Sequence, residues 1–366
     1  MKFKNDTLEQ IENISKYYVE ISKRKRELIH LLKDQILDID LSEVDKIKSP
    51  PEFSFAKFID DFSTFPVQNK DNLEYSILAV DGSRIEMQEG FPLPFYVINV
   101  SSVFEIIGKN HRHLEDSETQ VYFRENDIYD SNGNFITEQD IDLNMLLQEA
   151  EFLAQKIKTH KPDISLVDGS LILWGLKKTA TNEQEAIRKY EKPIIETNNA
   201  GKAIAGFISG TRSREVIKTM GLYLRKKNVQ LDEKDKQLLR AITDAELMSV
   251  LLEENQRTSL FISTEKLLSN YSNRIYFFFL KTKYEVVRIE VPDFLYENKQ
   301  MFENLCSLIL YEIERGQGYP LILKLAHFGA VITENEKRFL EDYFRKRMID
   351  SRRYSEKLAS KLKRKI

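Results

Sequence analysis

Residues 77–83 read ILAVDGS, and residues 164–170 read ISLVDGS. Each is an apolar run that closes on Asp-Gly-Ser, and Asp81 and Asp168 stand 87 positions apart. A short apolar run bounded by turn residues reads as a buried strand. Gly lets the backbone turn sharply and Ser can cap the turn. Each Asp is therefore expected at the C-terminal end of its strand, the edge where ligands of open α/β sheets collect. If the strands are neighbours, the two carboxylates sit side by side and perturb each other's pKa unless a cation neutralises them. Hard oxygen ligands of this kind suit Mg²⁺ or Mn²⁺. One Asp-Gly is an ordinary turn. Two copies, each after a buried strand, point to a site.

Working outward, residues 7–37 repeat apolar side chains at helical spacing (Leu8, Ile11, Tyr18, Ile21, Leu28, Leu32, Ile36) and predict one long helix. Pro50 and Pro51 interrupt the pattern. After the first VDGS, FPLPFYVINVSSVFEII reads as further strand in a β-meander, and GKNHRHLEDSETQ as a polar loop. Residues 141–158 form a predicted helix leading into the second VDGS, with Leu143, Leu146, Leu147, Ala150, Leu153, Ala154 and Ile157 as its stripe. AIAGFISG is a third strand, followed by TRSRE and a helix. NRIYFFFL and YEVVRIEVP read as a hairpin. A helix over 297–315 ends at GQGYP, and Thr333 with Glu336 forms a capping box that opens a last helix. Alternating strands and helices with one early meander predict a mixed α/β sheet flanked by helices. The expected organisation is an N-terminal helical extension over 1–50, a core domain over 51–335 and a basic C-terminal helix over 336–366.

The chain has 366 residues, 42% hydrophobic and 31% charged, with a net charge of −3. That composition is globular rather than disordered. No apolar stretch is long enough to span a bilayer, and the polar start MKFKNDTLEQ lacks a signal-peptide pattern. The expectation is a cytoplasmic protein without a membrane partner. A single cysteine, Cys306, excludes an internal disulfide and a Cys-based zinc site. Residues 336–366 carry 12 Lys/Arg against 5 Asp/Glu. This basic tail on an acidic body suggests a partner surface or nucleic acid there.

A third acid is available on the helix before Asp168. Glu149 flanks its apolar stripe on one side and Glu151 on the other, and spacing leaves both open. Near the end, Pro320 suits the first turn of a helix. On that helix Lys324 and His327 share a face. A basic pair beside carboxylates suits phosphodiester cleavage, with Lys offsetting phosphate charge and His binding a metal or relaying a proton.

The order AVDGSR, acidic helix, LVDGSL, TRS, TDAELMSVLL, VVRIEVP and YPLILKLAH resembles the NurA family of prokaryotic nucleases over roughly residues 72–335. Two departures are visible: EENQRTS lacks the usual Gly-containing turn, and no Lys precedes TRS. The resemblance implies an RNase H-like fold. It also implies an Mn²⁺- or Mg²⁺-dependent deoxyribonuclease, using one or two ions, that acts on single-stranded DNA and on DNA ends. The implied work is endo- and exonucleolytic, with 5′–3′ end resection. The implied setting is a homodimer working with a hexameric HerA-type ATPase in double-strand break repair or anti-phage defence. Carried over residue by residue, Asp81, Glu149, Asp168 and His327 match the metal-site positions, which favours Glu149 over Glu151. Tyr319 and His327 match the closing motif as catalytic residues. Arg84, Arg212 and Lys324 are the implied DNA contacts. Two other readings compete. An actin-like ATPase would need Gly-rich adenosine loops, and residues 293–315 hold none. A non-catalytic DNA- or motor-binding adaptor would use VDGS as plain turns.

Overall fold

A computed structural model describes residues 5–47, 54–68, 74–88, 93–174 and 183–350. The fold is mixed α/β, with mostly antiparallel strands flanked by helices and a long N-terminal helix. Six helices carry the argument: α1 (Asn5–Leu37), α2 (Glu138–His160), α3 (Glu215–Lys226), α4 (Asp244–Leu251), α5 (Leu321–Ala330) and α6 (Glu334–Asp350). The strands are β1 (Tyr75–Ile85), β2 (Tyr96–Ile107), β3 (Arg112–Tyr122), β4 (Ile164–Asp168), β5 (Ala203–Ile208), β6 (Ile275–Lys281) and β7 (Val286–Pro292). The chain divides into two units. One comprises Met1–Lys70, Gly169–Trp174 and Ala205–Glu314; the other comprises Asp71–Asp168, Gly175–Ile204 and Arg315–Ile366.

The unit that contains Asp81 and Asp168 is built on the meander β1–β2–β3. β1 pairs antiparallel with β2 from Tyr75↔Ile107 to Ile85↔Val97. β2 pairs with β3 from Tyr96↔Tyr122 to Ile106↔Arg112. The chain then forms α2, opened by a capping box between Thr137 and Asp140 and closed at Lys161 in the left-handed region (φ 48°). It returns as β4, parallel to β1, with Ile77 opposite Ile164 and Val80 opposite Val167. A polar clamp sets this register. Asp163 accepts from the Ser76 N–H and hydroxyl, both at 2.8 Å, its own N–H donates to Ser76 Oγ at 2.9 Å, and Lys202 pairs with it at 2.7 Å. Ser76 and Asp163 are separated by 87 positions, the same offset as Asp81 and Asp168.

Two expectations are corrected here. The segment read as a polar loop is in part the strand β3. Its side chains are nearly all exposed, so polar composition hides a strand whose backbone is paired along its whole length with β2. Polar and charged side chains suit a strand with solvated faces. Second, β1 does not end at Asp81: Asp81, Gly82 and Ser83 lie inside it, opposite Ser101, Val100 and Asn99 of β2.

The predicted Thr333–Glu336 capping box is present, with the Thr333 N–H and hydroxyl each 2.7 Å from Glu336 Oε2. The helix it opens, α6, packs Leu340 and Phe344 against Ile85, Phe95 and Val97. Its proposed continuation over 351–366, and the break at Pro50–Pro51, lie outside the described residues.

The other unit buries the C-terminal half of α1. Leu28, Leu32 and Ile36 join Val216 and Met220 of α3, Leu247 and Met248 of α4, and Phe277 and Phe279 of β6 in one core. β6 and β7 form the predicted hairpin, Ile275↔Pro292 to Lys281↔Val286. Residues 206–208 of β5 then pair antiparallel with β7. Towards its N-terminus α1 leaves Ile11, Ile14, Tyr17, Tyr18 and Val19 exposed. Among the described residues, no helix is long and apolar enough to cross a membrane.

Candidate active site

Parallel pairing decides where the two aspartates go. Val80 sits opposite Val167, so Asp81 and Asp168 follow at the next position on adjacent strands. Successive side chains of a strand point to opposite faces. Asp81 and Ser83 therefore share one face, and Gly82 opens on the other.

Helix α5 covers the face of Asp81 and Ser83. Pro320, which has no N–H to leave unsatisfied, stands as its N-cap. Its C-terminal end is tied down by polar groups of the sheet. The Ser83 hydroxyl donates to the Ala330 carbonyl at 2.5 Å, and Asn99 Nδ2 donates to the same oxygen at 2.7 Å. Fixing that end fixes His327, whose Nδ1 lies 2.7 Å from Asp81 Oδ2. An ionised carboxylate can only accept, so Nδ1 carries the hydrogen, and in the neutral ring Nε2 on the opposite side is the nitrogen with the lone pair. His327 is 58% exposed and Asp81 15%, so the imidazole is the solvent-facing member of the pair. Just ahead of α5, the Tyr319 hydroxyl donates to Asp168 Oδ1.

Helix α2 covers the opposite face and brings Glu149 to Gly82. A Cβ at residue 82 would collide with Glu149 Oε1 and stand 3.0 Å from its Cγ. The missing side chain is thus the space the carboxyl occupies. Glu149 accepts a hydrogen bond from the Gly82 backbone. Burial pushes its pKa up to about 8, helped by the negative charges of Asp81 and Asp168. Asp168 is raised as well, first by loss of solvent around its carboxyl and then by Asp81, against the opposing pull of Tyr319 and His327. Glu151, the rival acid, is ion-paired with Lys192.

Among the described residues, no three His, Cys, Asp or Glu side chains are assembled as a metal cage. Each aspartate is instead held by its own neighbour, His327 or Tyr319. As ligand types, three carboxylates and one imidazole are donors that Mn²⁺ or Mg²⁺ takes. Burial is the first cause of the raised Glu149 pKa, and the charges of Asp81 and Asp168 are the further part that a cation would relieve.

The expected DNA contacts divide. Arg84 is ion-paired with Asp142 of α2. Its Nε is buried without a hydrogen-bond partner among the described residues. Lys324 donates to the Gly316 carbonyl and so braces the turn that carries Tyr319. Arg212 belongs to the other unit, exposed in the loop before α3. Residue patterns did not single out Ser83 and Asn99, which anchor α5, or Ser76 and Asp163, which set the register. The signal for the second pair was in the sequence: Ser76 and Asp163 precede the two aspartates by the same five positions.

The NurA domain model matches residues 75–332, well over half of the chain. No match is found among curated proteins. Among solved structures the chain is similar to the crystal structure of prototype foamy virus protease-reverse transcriptase, at 14% identity and a TM-score of 0.24, a likeness too slight to bear on the fold. That match covers 49% of this chain and 22% of the other, so this chain spans under a quarter of that protein's length.

Proposed function

Because the chain belongs to the NurA family of nucleases, we propose that it is a divalent-metal-dependent deoxyribonuclease that hydrolyses phosphodiester bonds in single-stranded DNA and at DNA ends. The observation that carries this reading is the placing of Asp81 and Asp168 at neighbouring positions of adjacent strands, with Glu149 brought against Gly82 from the other face of β1 and raised to about 8. Three carboxylates crowded together are unfavourable without a cation and favourable with one.

Asp81, Glu149, Asp168 and His327 are the residues that would hold Mn²⁺ or Mg²⁺, as one ion or two. A bound divalent ion supplies Lewis-acid polarisation of the phosphodiester and a water of lowered pKa. The chain's own groups do the rest. Asp81 orients the His327 ring through Nδ1, leaving Nε2 either to ligate the ion or, where the carboxylates alone hold it, to take up or deliver a proton. The Tyr319 hydroxyl holds Asp168 in one rotamer and keeps its second oxygen free to ligate. Arg84 and Lys324, now engaged with Asp142 and Gly316, are the cations nearest in sequence to these groups and the proposed phosphate contacts, with Arg212 as a third.

The finer fold expectation, an RNase H-like core, is supported by the antiparallel β1–β2–β3 meander and by β4 returning parallel to β1 after a helix. The working assembly we propose is a homodimer with a hexameric HerA-type DNA-translocating ATPase. Its place is the prokaryotic cytoplasm, in end resection during double-strand break repair or in anti-phage defence.

The test is incubation of the purified protein with end-labelled single-stranded DNA, in Mn²⁺ and in EDTA, beside Asp168→Ala. Mn²⁺-dependent loss of label that the variant lacks is expected. Absence of cleavage both alone and with the ATPase present would sink the nuclease reading and leave a non-catalytic adaptor.

A further inference from the structure

The unit comprising Met1–Lys70, Gly169–Trp174 and Ala205–Glu314 has a cleft of its own, of about 390 Å³, the size of a small-ligand site. Arg288 forms its floor. The guanidinium pairs with Glu215 at 2.7 Å and Glu290 at 2.9 Å and lies over the Phe277 ring at 3.6 Å. Glu290 also accepts from the Ser170 hydroxyl at 2.6 Å and the Leu171 N–H at 2.9 Å. One guanidinium thus faces two carboxylates, and these ion pairs hold the floor in place.

The walls are different. Trp174 is 42% exposed. Its Nε1 donates to Ser170 Oγ at 2.9 Å, which fixes the indole plane. Among the described residues, no other ring stacks on its face. Arg214 lines the same cleft, and its Nε is buried with no hydrogen-bond partner among the described residues. Lys218, one turn along α3, lines it too and reaches the Ser54 carbonyl at 2.9 Å. Arg214, Lys218 and Arg288 outnumber Glu215 and Glu290, so the lining is net cationic.

We propose that this cleft binds one nucleotide of single-stranded DNA, with the base stacked on Trp174 and its phosphate held by Arg214 and Lys218. A fixed, open indole face asks for a flat π ligand, and adjacent cations ask for an anion; a nucleotide supplies both. A duplex keeps its base faces stacked inside, so the cleft selects single strands. Trp174 follows Asp168 by only six residues in the chain. The proposal rests on the nuclease reading for its substrate class, and assigns a holding subsite to residues other than the proposed metal ligands.

Trp174 is the only tryptophan, so its fluorescence reports this cleft alone. The full-length protein is titrated with oligo-dT in EDTA, following tryptophan emission, and in parallel the anisotropy of the labelled oligonucleotide. The expected result is quenching that saturates along the anisotropy curve, and little quenching by a blunt hairpin duplex. By anisotropy, Trp174→Ala is expected to bind about tenfold more weakly, as loss of one base–aromatic stack predicts, and Trp174→Phe close to wild type. Arg214→Ala is expected to weaken binding and flatten its salt dependence. Binding seen by anisotropy without change in tryptophan emission, with Trp174→Ala binding as wild type, overturns the proposal. Equal quenching by the duplex overturns its selectivity. No binding in either readout overturns it also. Cleavage in Mn²⁺ separately reports whether the nuclease reading survives any of these results.

Discussion

The two VDGS segments share four residues and almost nothing else. Asp81-Gly82-Ser83 runs straight through a strand, paired residue by residue with β2. Asp168-Gly169-Ser170 ends a strand and turns, with Gly169 at φ 105°. Gly82 is glycine for space, because Glu149 fills the place of a Cβ; Gly169 is glycine for backbone conformation, with nothing within 4 Å of where its Cβ would be. Ser83 anchors the helix that carries His327, whereas Ser170 bonds to Glu290. Only the aspartates play like parts. A repeated motif here repeats one function-bearing atom group in two structural settings.

The largest effects should come from the shared element. Asp81→Asn and Asp168→Asn are each expected to lower Mn²⁺-dependent cleavage more than about 100-fold, beyond the 10- to 100-fold typical of residues that only support a ligand. Melting temperature should stay near or above wild type, because one crowded negative charge has been removed. Full activity in a folded variant of either residue would break the equivalence of the two aspartates.

The glycines should then separate. Gly82→Ala drives a methyl group into the Glu149 carboxyl. Overpacking of this kind costs about 1–3 kcal/mol, and the displaced acid should lower cleavage by about 100-fold. Gly169→Ala meets no atom but strains the backbone, at a similar cost of about 1–3 kcal/mol. It is expected to lower the melting temperature while keeping most of the activity per folded molecule. If both variants lose activity in proportion to stability alone, Gly82 has no special relation to Glu149.

Glu149 gives the comparison a pH axis. Its pKa in the folded, metal-free protein is about 8, against 4.5 for an ordinary glutamate. The folded state therefore holds this proton more tightly than the unfolded chain does. The resulting stability is complete below about 4.5 and is lost as pH rises through about 8. In EDTA the melting temperature should fall over that window. Glu149→Gln should flatten the fall, and saturating Mn²⁺ should reverse it in the wild type. A wild-type profile parallel to that of Glu149→Gln would show that the carboxyl is not crowded as described.

How much of this the sequence carried depends on the kind of interaction. The apolar runs before Asp81 and Asp168 are local, and they revealed two buried strands. The capping box at Thr333–Glu336 is local too, and it marked a helix start correctly. β3 was missed because its stability comes from pairing with β2 rather than from an apolar face. The in-strand course of Asp81-Gly82-Ser83 was missed for a related reason. Gly-Ser after an acid favours a turn by propensity, and an eleven-residue ladder with β2 overrides it. Glu149 and Glu151 could not be separated by helical spacing; the tertiary fact that Gly82 lacks a side chain separates them. Trp174 carries no signal in the sequence pattern, and its exposure is visible only in the folded chain.

The smallest effect tests what makes the comparison possible at all. Asp81 and Asp168 are neighbours because β1 and β4 pair in one register, and Asp163 locks that register through Ser76 and Lys202. Asp163→Ala removes the side-chain part of the clamp, leaving its N–H to Ser76, without touching the site. Losing these part-exposed hydrogen bonds should cost about 1–2 kcal/mol, or a few degrees of melting temperature in a protein of this size. The apolar strand contacts should keep β4 in place on average, so cleavage at saturating Mn²⁺ should fall less than about tenfold. The Mn²⁺ concentration needed for half activity should rise, because the spacing of the two carboxylates is less tightly held. Asp163→Asn keeps an acceptor for Ser76 and should recover most of both losses. An unchanged melting temperature and Mn²⁺ requirement in Asp163→Ala would mean that the apolar runs alone set the register. The repeated ILAV and ISLV segments, rather than the polar pair ahead of them, would then be what brings the two aspartates together.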